Sequence, residues 1–473
     1  MSSLAIWRRV VPLAMLLAAA PAAGVAEPDP SGRSAARAND AGPKNAPAVT
    51  AGDLRFPITR ERLPNGLEIL IVEDHAVPVV TLYSFFRVGS RNERSGRTGI
   101  SHLFEHLMFN GAKRFGPGEF DRALESRGGA GNAFTSEDVT GYYEVFPPDA
   151  LPLVVDLEVD RLTGLTLTED SLRSEREVVK EERRGRIDDD PMGALQELLG
   201  ATAYVAHPYG WPVVGWPADL EAITVEDCRE YFRIHYAPNN ALLVLAGDVD
   251  PRSALAVLHR GYGSIPAQPP ALPAVANEPE QAGERRAVLR RPAQLPAVAL
   301  AFHVPGTATG GAEVFALDLI QTILTGGESS RLERAVVRDK PLATSVVASN
   351  VYRVDPSLFI VQAEARPGVP LADLERGIAA EIERLAKEPV PDRELAKAKN
   401  QTRMDLLRKL KTSAGKAEQL GMAAIYFGAP EKLFDLPQAF DAVTAENIRD
   451  AAARWLVPDN RSVVHLVPAE PEP

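Results

Sequence analysis

Alternating and helical spacings of apolar residues divide the chain into recognisable elements. LEILIVED (67–74) and VVTLYSFFRVGS (79–90) read as strands joined by a turn. The pattern then changes to the spacing of an amphipathic helix over about 99–110, with more helix near 117–127, 150–163, 169–186 and 224–235. ALLVLAGDV (241–249) is apolar throughout and predicts a buried strand. IPAQPPALPAVANEPEQAG (265–283) breaks every periodicity and reads as a Pro/Ala linker. Beyond it the alternation restarts: a strand in AVALAFHVP (297–305), helices near 312–325, 370–387 and 392–411, and a closing strand, SVVHLVP (462–468).

The two halves repeat one another. ITVEDCREYFRIHYAPNNALLVLAG (223–247) matches VTAENIRDAAARWLVPDNRSVVHLV (443–467) at a constant offset of 220. Thr224, Glu226, Arg229, Pro238 and Asn240 recur as Thr444, Glu446, Arg449, Pro458 and Asn460. An offset held through a helix and into a strand predicts an α+β chain built of two duplicated, homologous α/β sandwich domains. The expected division is 53–264 for the first domain, 265–283 for the linker and 284–470 for the second.

Chemistry enters at GISHLFEHLMFNG (99–111), where His102, Glu105 and His106 stand in the order H-x-x-E-H. At roughly 100° per residue, His102, His106 and Glu105 share one arc of a helix, while Leu103, Phe104, Leu107 and Met108 occupy the opposite face. Imidazoles at i and i+4 can share one tetrahedral zinc ion. The bland alternative is a helix surface with two structural histidines. The second copy bears on that choice. Aligning Asn110-Gly111 with Gly326-Gly327 sets Asp318, Gln321 and Thr322 opposite the three motif residues, so any site is present once per chain.

A catalytic zinc needs a third protein ligand and leaves the fourth position open. On the helix SLRSEREVVKEERRGRI (171–187), Leu172, Val178 and Val179 mark the expected buried stripe, and Glu175 and Glu182 fall inside it at roughly 300° and 280° from Leu172. A buried carboxylate needs a cation or donors. Zinc answers that need for Glu182, and Glu175 is placed to hold the N–H of a ligand histidine. Glu105, displaced along the motif helix, is left as the base that activates zinc-bound water and returns the proton to the leaving amine.

Composition narrows the remaining classes. The chain has 473 residues and a formal net charge of −12, which disfavours nucleic acid and anionic membrane surfaces as partners. Arg8 and Arg9 precede a short apolar run, and small residues stand before Glu27; residues 1–26 therefore read as a secretory signal peptide, giving an exported protein of the bacterial periplasm without stable membrane insertion. Residues 27–52, rich in Pro, Ala, Gly and Ser, read as a disordered leader. The single cysteine, Cys228, excludes an internal disulfide and reads as a small buried hydrophobe.

Together these motifs resemble the inverzincin zinc metallopeptidases, a family that includes pitrilysin, insulin-degrading enzyme and the mitochondrial processing peptidase. That family pairs H-x-x-E-H with a distant glutamate, and here 75 residues lie between His106 and Glu182. EREVVKEE (175–182), NAFTSEDVTGYY (132–143) and HPYG (207–210) extend the similarity over roughly 55–470. The resemblance implies one zinc per chain held by His102, His106 and Glu182, Glu105 as base, Glu175 behind the ligands, and two similar halves forming half of a clam-shell chamber. It also implies that Asn132, Ala133, Phe134 and Thr135 form an edge strand for an extended peptide substrate, and that Arg331 in SSRL contacts substrate. A tyrosine that relatives pair with an arginine is replaced by Thr344 in LATSV (342–346). The expectation is a secreted zinc endopeptidase, the metal-bearing subunit of a heterodimer whose homologous partner carries the Arg/Tyr pair; a homodimer is the second arrangement. The alternative is a non-catalytic structural or zinc-binding subunit of the same fold.

Overall fold

The structure, a computed structural model, describes residues 55–269 and 275–469; the predicted signal peptide and leader lie outside these residues. Six strands make the first sheet: β1 (Thr59–Arg62), β2 (Glu68–Glu73), β3 (Val80–Phe86), β4 (Ala130–Thr135), β5 (Thr140–Phe146) and β6 (Ala241–Gly247), in the order β1-β2-β6-β3-β5-β4. Five make the second: β7 (Arg285–Arg291), β8 (Ala297–Val304), β9 (Ala343–Asn350), β10 (Ser357–Ala365) and β11 (Arg461–Pro468), in the order β7-β11-β8-β10-β9. Leaving β1 aside, the two orders are the same. In each sheet the strand that arrives last in sequence inserts centrally, parallel to the first and antiparallel to the second. The chain thus consists of two homologous domains of mixed helix and sheet.

The simple turn expected between 74 and 79 does not produce a hairpin. β2 and β3 are not neighbours, because β6 lies between them. The physical reason is in the composition of β6. All seven of its residues, ALLVLAG, are buried, so both faces must be covered and both edges hydrogen-bonded.

Each sheet is covered on one face by a helix from the opposite half. The helix Pro191–Ala203 packs on β7, β8 and β11, and the helix Ser413–Tyr426 packs on β3 and β6. On β8, Ala297, Ala299 and Ala301 face Leu195 and Leu199 of the crossing helix, while Val298, Leu300 and Phe302 face the second domain's own helices. The alternation of small and large residues thus matches two layers of different depth. Gly421 serves the reciprocal contact. A Cβ there would stand 2.1 Å from the Phe85 ring, so only glycine permits this approach of helix to sheet. Sequence periodicity passed over both crossing helices, whose buried faces mix a few leucines with small residues such as Ala194, Ala203, Ala417 and Gly421 and give a weak apolar stripe. Cys228 is buried, as expected.

Candidate metal centre

The motif helix runs from Ile100 to Leu107 and starts at a constrained point. Gly99 has φ +87°, and a Cβ there would lie 2.5 Å from the Val214 carbonyl. The buried Glu93 carboxylate accepts the backbone N–H groups of Gly99 and Ser101, each at 2.8 Å, and so caps the positive end of the helix. Leu103, Phe104, Leu107 and Met108 are all buried in the first core. Their packing fixes the rotation of the helix and turns His102, Glu105 and His106 the other way.

The second helix, Glu169–Arg183, is capped by Thr168 and packs against the first. Its inward arc is narrower than the sequence suggested. Leu172 and Val179 are buried, but Val178 is 39% exposed. Packing Glu175 and Glu182 toward the histidines rolls Val178 outward at the rim. Arg183 joins the buried side of the helix next to Leu172, and its guanidinium binds Glu197 at 2.7 and 3.0 Å.

Where the helices meet, His102, His106 and Glu182 each offer a ligand atom, all within 4.8 Å of one another. Glu182 Oε2 lies 3.4 Å from His106 Nε2 and 3.7 Å from His102 Nε2. Zinc bonds of about 2.0–2.2 Å in a tetrahedron place neighbouring ligand atoms roughly 3.3–3.6 Å apart, close to the two distances measured from Glu182. Behind it, Glu175 Oε2 stands 3.4 Å from His106 Nδ1, the ring nitrogen turned away from Glu182.

The protonation of these four groups is set by burial and by one another. Burial disfavours charge on His106, but hydrogen bonds to Glu175 and Glu182 overcome it and lift the imidazole to about 9. Burial would raise Glu182, yet His106, His102 and Arg186 hold it down at about 2. His102, buried beside that positive neighbour, falls to about 3. Glu105 is also buried, and burial pushes its carboxyl up to about 7, the range of a general base. Its Oε2 accepts a hydrogen bond from the Thr135 hydroxyl at 2.5 Å.

Thr135 ends β4, which also carries Asn132, Ala133 and Phe134. β4 pairs with β5 on one side and closes its sheet on the other. Arg331 is not part of this cluster. Its Nε and Nη2 bind Glu394 at 2.9 and 2.8 Å on the helix Asp392–Lys409. Thr344 lies exposed on β9 and donates to the Glu364 carbonyl at 3.3 Å. In the second copy, Asp318 accepts from Asn350 Nδ2 at 2.7 Å and from the Tyr352 hydroxyl, so polar side chains fill the place of a metal pair.

Three contributors were not singled out from the sequence. Glu93 is signalled only by an acid preceding a helix. Arg186 reaches Glu182 Oε1 at 2.5 Å as an i,i+4 pair beyond the helix end, in a turn of wider pitch. The third is a clasp between the halves: Asp138, three residues past Thr135, accepts from the Tyr209 hydroxyl at 2.7 Å, from Arg91 at 3.0 Å and from the Val354 N–H at 3.0 Å. His207 binds Asp355 at 3.2 Å, and Arg353 pairs with Glu137 while lying over the Tyr209 ring. HPYG is therefore a joint between the two halves.

Comparison with known proteins agrees with this architecture. Residues 68–215 match the family model described as insulinase (peptidase family M16), and 222–402 match the model described as the peptidase M16 inactive domain. The zinc protease PqqE of Helicobacter pylori is 34% identical over 356 residues, 74% of this chain and 80% of that protein. A probable mitochondrial-processing peptidase subunit beta of Arabidopsis thaliana is 26% identical over 433 residues, 89% of this chain and 80% of the relative. The crystal structure of a protease from Helicobacter pylori superposes with a TM-score of 0.83 at 31% identity, covering 88% of this chain and all of that one. With its duplicated halves, its paired helices and these relatives, the chain belongs to peptidase family M16, the insulinase family.

Proposed function

We propose that this protein is an exported zinc-dependent endopeptidase that hydrolyses peptides or unfolded segments. The observation that carries the reading is the convergence of His102, His106 and Glu182 beside the buried Glu105. Bound to these three residues, zinc would supply Lewis-acid polarisation of the scissile carbonyl and acidify a water molecule. Glu105 takes a proton from the attacking water and passes it to the leaving amine. Glu175 orients the His106 ring. An extended substrate adds to the open edge of β4 along Asn132–Thr135, which reads backbone more than side chains and gives loose specificity.

The chain acts, in this reading, as the metal-bearing subunit of a heterodimer. Arg331 is held at Glu394, apart from the metal cluster, and position 344 carries a threonine where relatives have the tyrosine, so a homologous partner supplies the grip on the substrate carbonyl. A relative named as a subunit supports this arrangement. Co-purification from the native host and mass measurement test it; an active homodimer would overturn it.

The alternative is a structural or zinc-holding subunit without turnover. Peptide cleavage by the purified protein, with and without chelator, separates the two. The peptidase reading expects activity that chelation abolishes and that Glu105→Gln lowers by roughly 10²–10⁴-fold with zinc retained. A zinc-loaded Gln variant that cleaves at the wild-type rate rejects it.

A further inference from the structure

The second half repeats the helix pair of the metal centre, and at the repeated position it holds a cavity. The helix Ala312–Thr325 packs against the helix Asp392–Lys409 as Ile100–Leu107 packs against Glu169–Arg183. Glu394 and Gln401 are seven residues apart on their helix, the spacing of Glu175 and Glu182. The cavity there has a volume of about 720 Å³. Its donors differ in kind from those of the first copy. Where His106 meets Glu175, the guanidinium of Arg331 meets Glu394.

Arg331 does not exhaust its hydrogen-bonding capacity on Glu394. Its side chain is 7% exposed, and Nη1, buried in the cavity wall, has no hydrogen-bond partner among the described residues. The same holds for the hydroxyl of Ser330, a residue only 2% exposed. Buried donors without acceptors are costly and few in folded proteins. Charge points the same way. Each of the three acids lining the cavity is paired with an arginine, which leaves Arg393 and Lys397 uncompensated among the described residues. Lys397 Nζ contacts only the Ser329 hydroxyl, at 2.7 Å.

We propose that this cavity is an oxyanion site, in which Arg331, Ser330 and Lys397 donate to a carboxylate or phosphoryl group and Arg393 adds positive potential. Fixed guanidinium and hydroxyl donors around a compact anion form strong, charge-assisted hydrogen bonds. A site that takes a cation in one copy thus takes an anion in the other, independently of whether the chain is a peptidase.

The test is calorimetric titration of the zinc-loaded full chain at constant ionic strength. Inorganic phosphate is one probe. A short peptide with a free C-terminal carboxylate, compared with its C-terminal amide on the Glu105→Gln background, is the other. Saturable one-site binding of phosphate, or of the acid peptide but not the amide, is the expected result, and the arm that responds names the source of the oxyanion. Lys397→Ala with Arg393→Ala, both at the cavity rim, should weaken binding at least about tenfold, and Ser330→Ala should weaken it independently. Absence of saturable binding of both probes up to about 10 mM overturns the proposal. Binding unchanged in the double variant, as expected of phosphate held only at zinc, overturns it equally.

Discussion

The Thr135 hydroxyl donates to Glu105 Oε2 at 2.5 Å, so the last residue of the open edge strand holds the carboxylate beside the three metal donors. The strand proposed to bind substrate and the group proposed to activate water are thereby one mechanical unit. Thr135→Val keeps the shape and removes the donor. A hydrogen bond to a charged group contributes about 1.5–3 kcal/mol, so kcat should fall roughly 10–100-fold with zinc content unchanged. Thr135→Ser should keep most of the activity. A Val variant with wild-type kcat would show the contact to be incidental.

Zinc affinity should follow the donor set. Replacing His102, His106 or Glu182 by Ala should abolish stoichiometric zinc in elemental analysis, and Glu175→Gln should weaken zinc by about 10–100-fold through the His106 ring. His106 without metal stays protonated to about 9, and a proton there must leave before zinc binds. Apparent affinity, measured against a chromogenic chelator, should therefore rise about tenfold per unit between pH 6 and 8. A flat profile would exclude His106 as a ligand.

Asp318 gives a stability prediction with a definite sign. Burial lifts its carboxyl from the ordinary 3.8 to about 7, with Tyr352 and Asn350 donating to it. The folded chain keeps a proton that the unfolded chain has lost. Stability from this group is complete below 3.8 and is lost as the pH rises through about 7. Asp318→Asn removes the titration. The melting temperature of wild type relative to the variant should drop by on the order of a few degrees between pH 4 and 7 and then level off. A constant difference over that range would count against the assignment.

The clasp beyond β4 joins stability to activity. Arg353→Ala leaves Glu137 without its partner and the Tyr209 ring uncovered, which should cost about 2–4 kcal/mol in urea unfolding. Because Glu137 and Asp138 lie two and three residues past Thr135, kcat should fall as well. A variant that unfolds at the wild-type urea concentration would show that the clasp does not bear on the fold.

Much of this was legible from local pattern. Helical spacing separated Leu103, Phe104, Leu107 and Met108 from the histidine face, and all four are buried in the core. The constant offset between Thr224 and Thr444 anticipated two homologous domains, whose sheets share a strand order once β1 is left aside. Spacing failed where several partners compete for one face. It placed Val178 with the buried stripe, because a wheel records angle and not the width of the neighbouring helix. It joined β2 and β3 by a turn but did not show that β6 would come to lie between them, because it does not record which strand most needs a covered centre.

Sequence alone therefore determined the candidate donor types, their helical phase and the duplication, all of which are properties of chain neighbours a few residues apart or of a repeated text. Tertiary structure decided which side chains meet across separations of 30 to 216 residues. Thr135 reaches Glu105 because β4 closes its sheet beside the motif helix, and Asp138 meets Tyr209 and Val354 where the halves join. It also decided the fate of the second copy, where Arg331 turns inward to Glu394 beside a cavity that Arg393 and Lys397 also line. Such outcomes depend on the relative placement of whole elements, which is set by the packing of both cores at once.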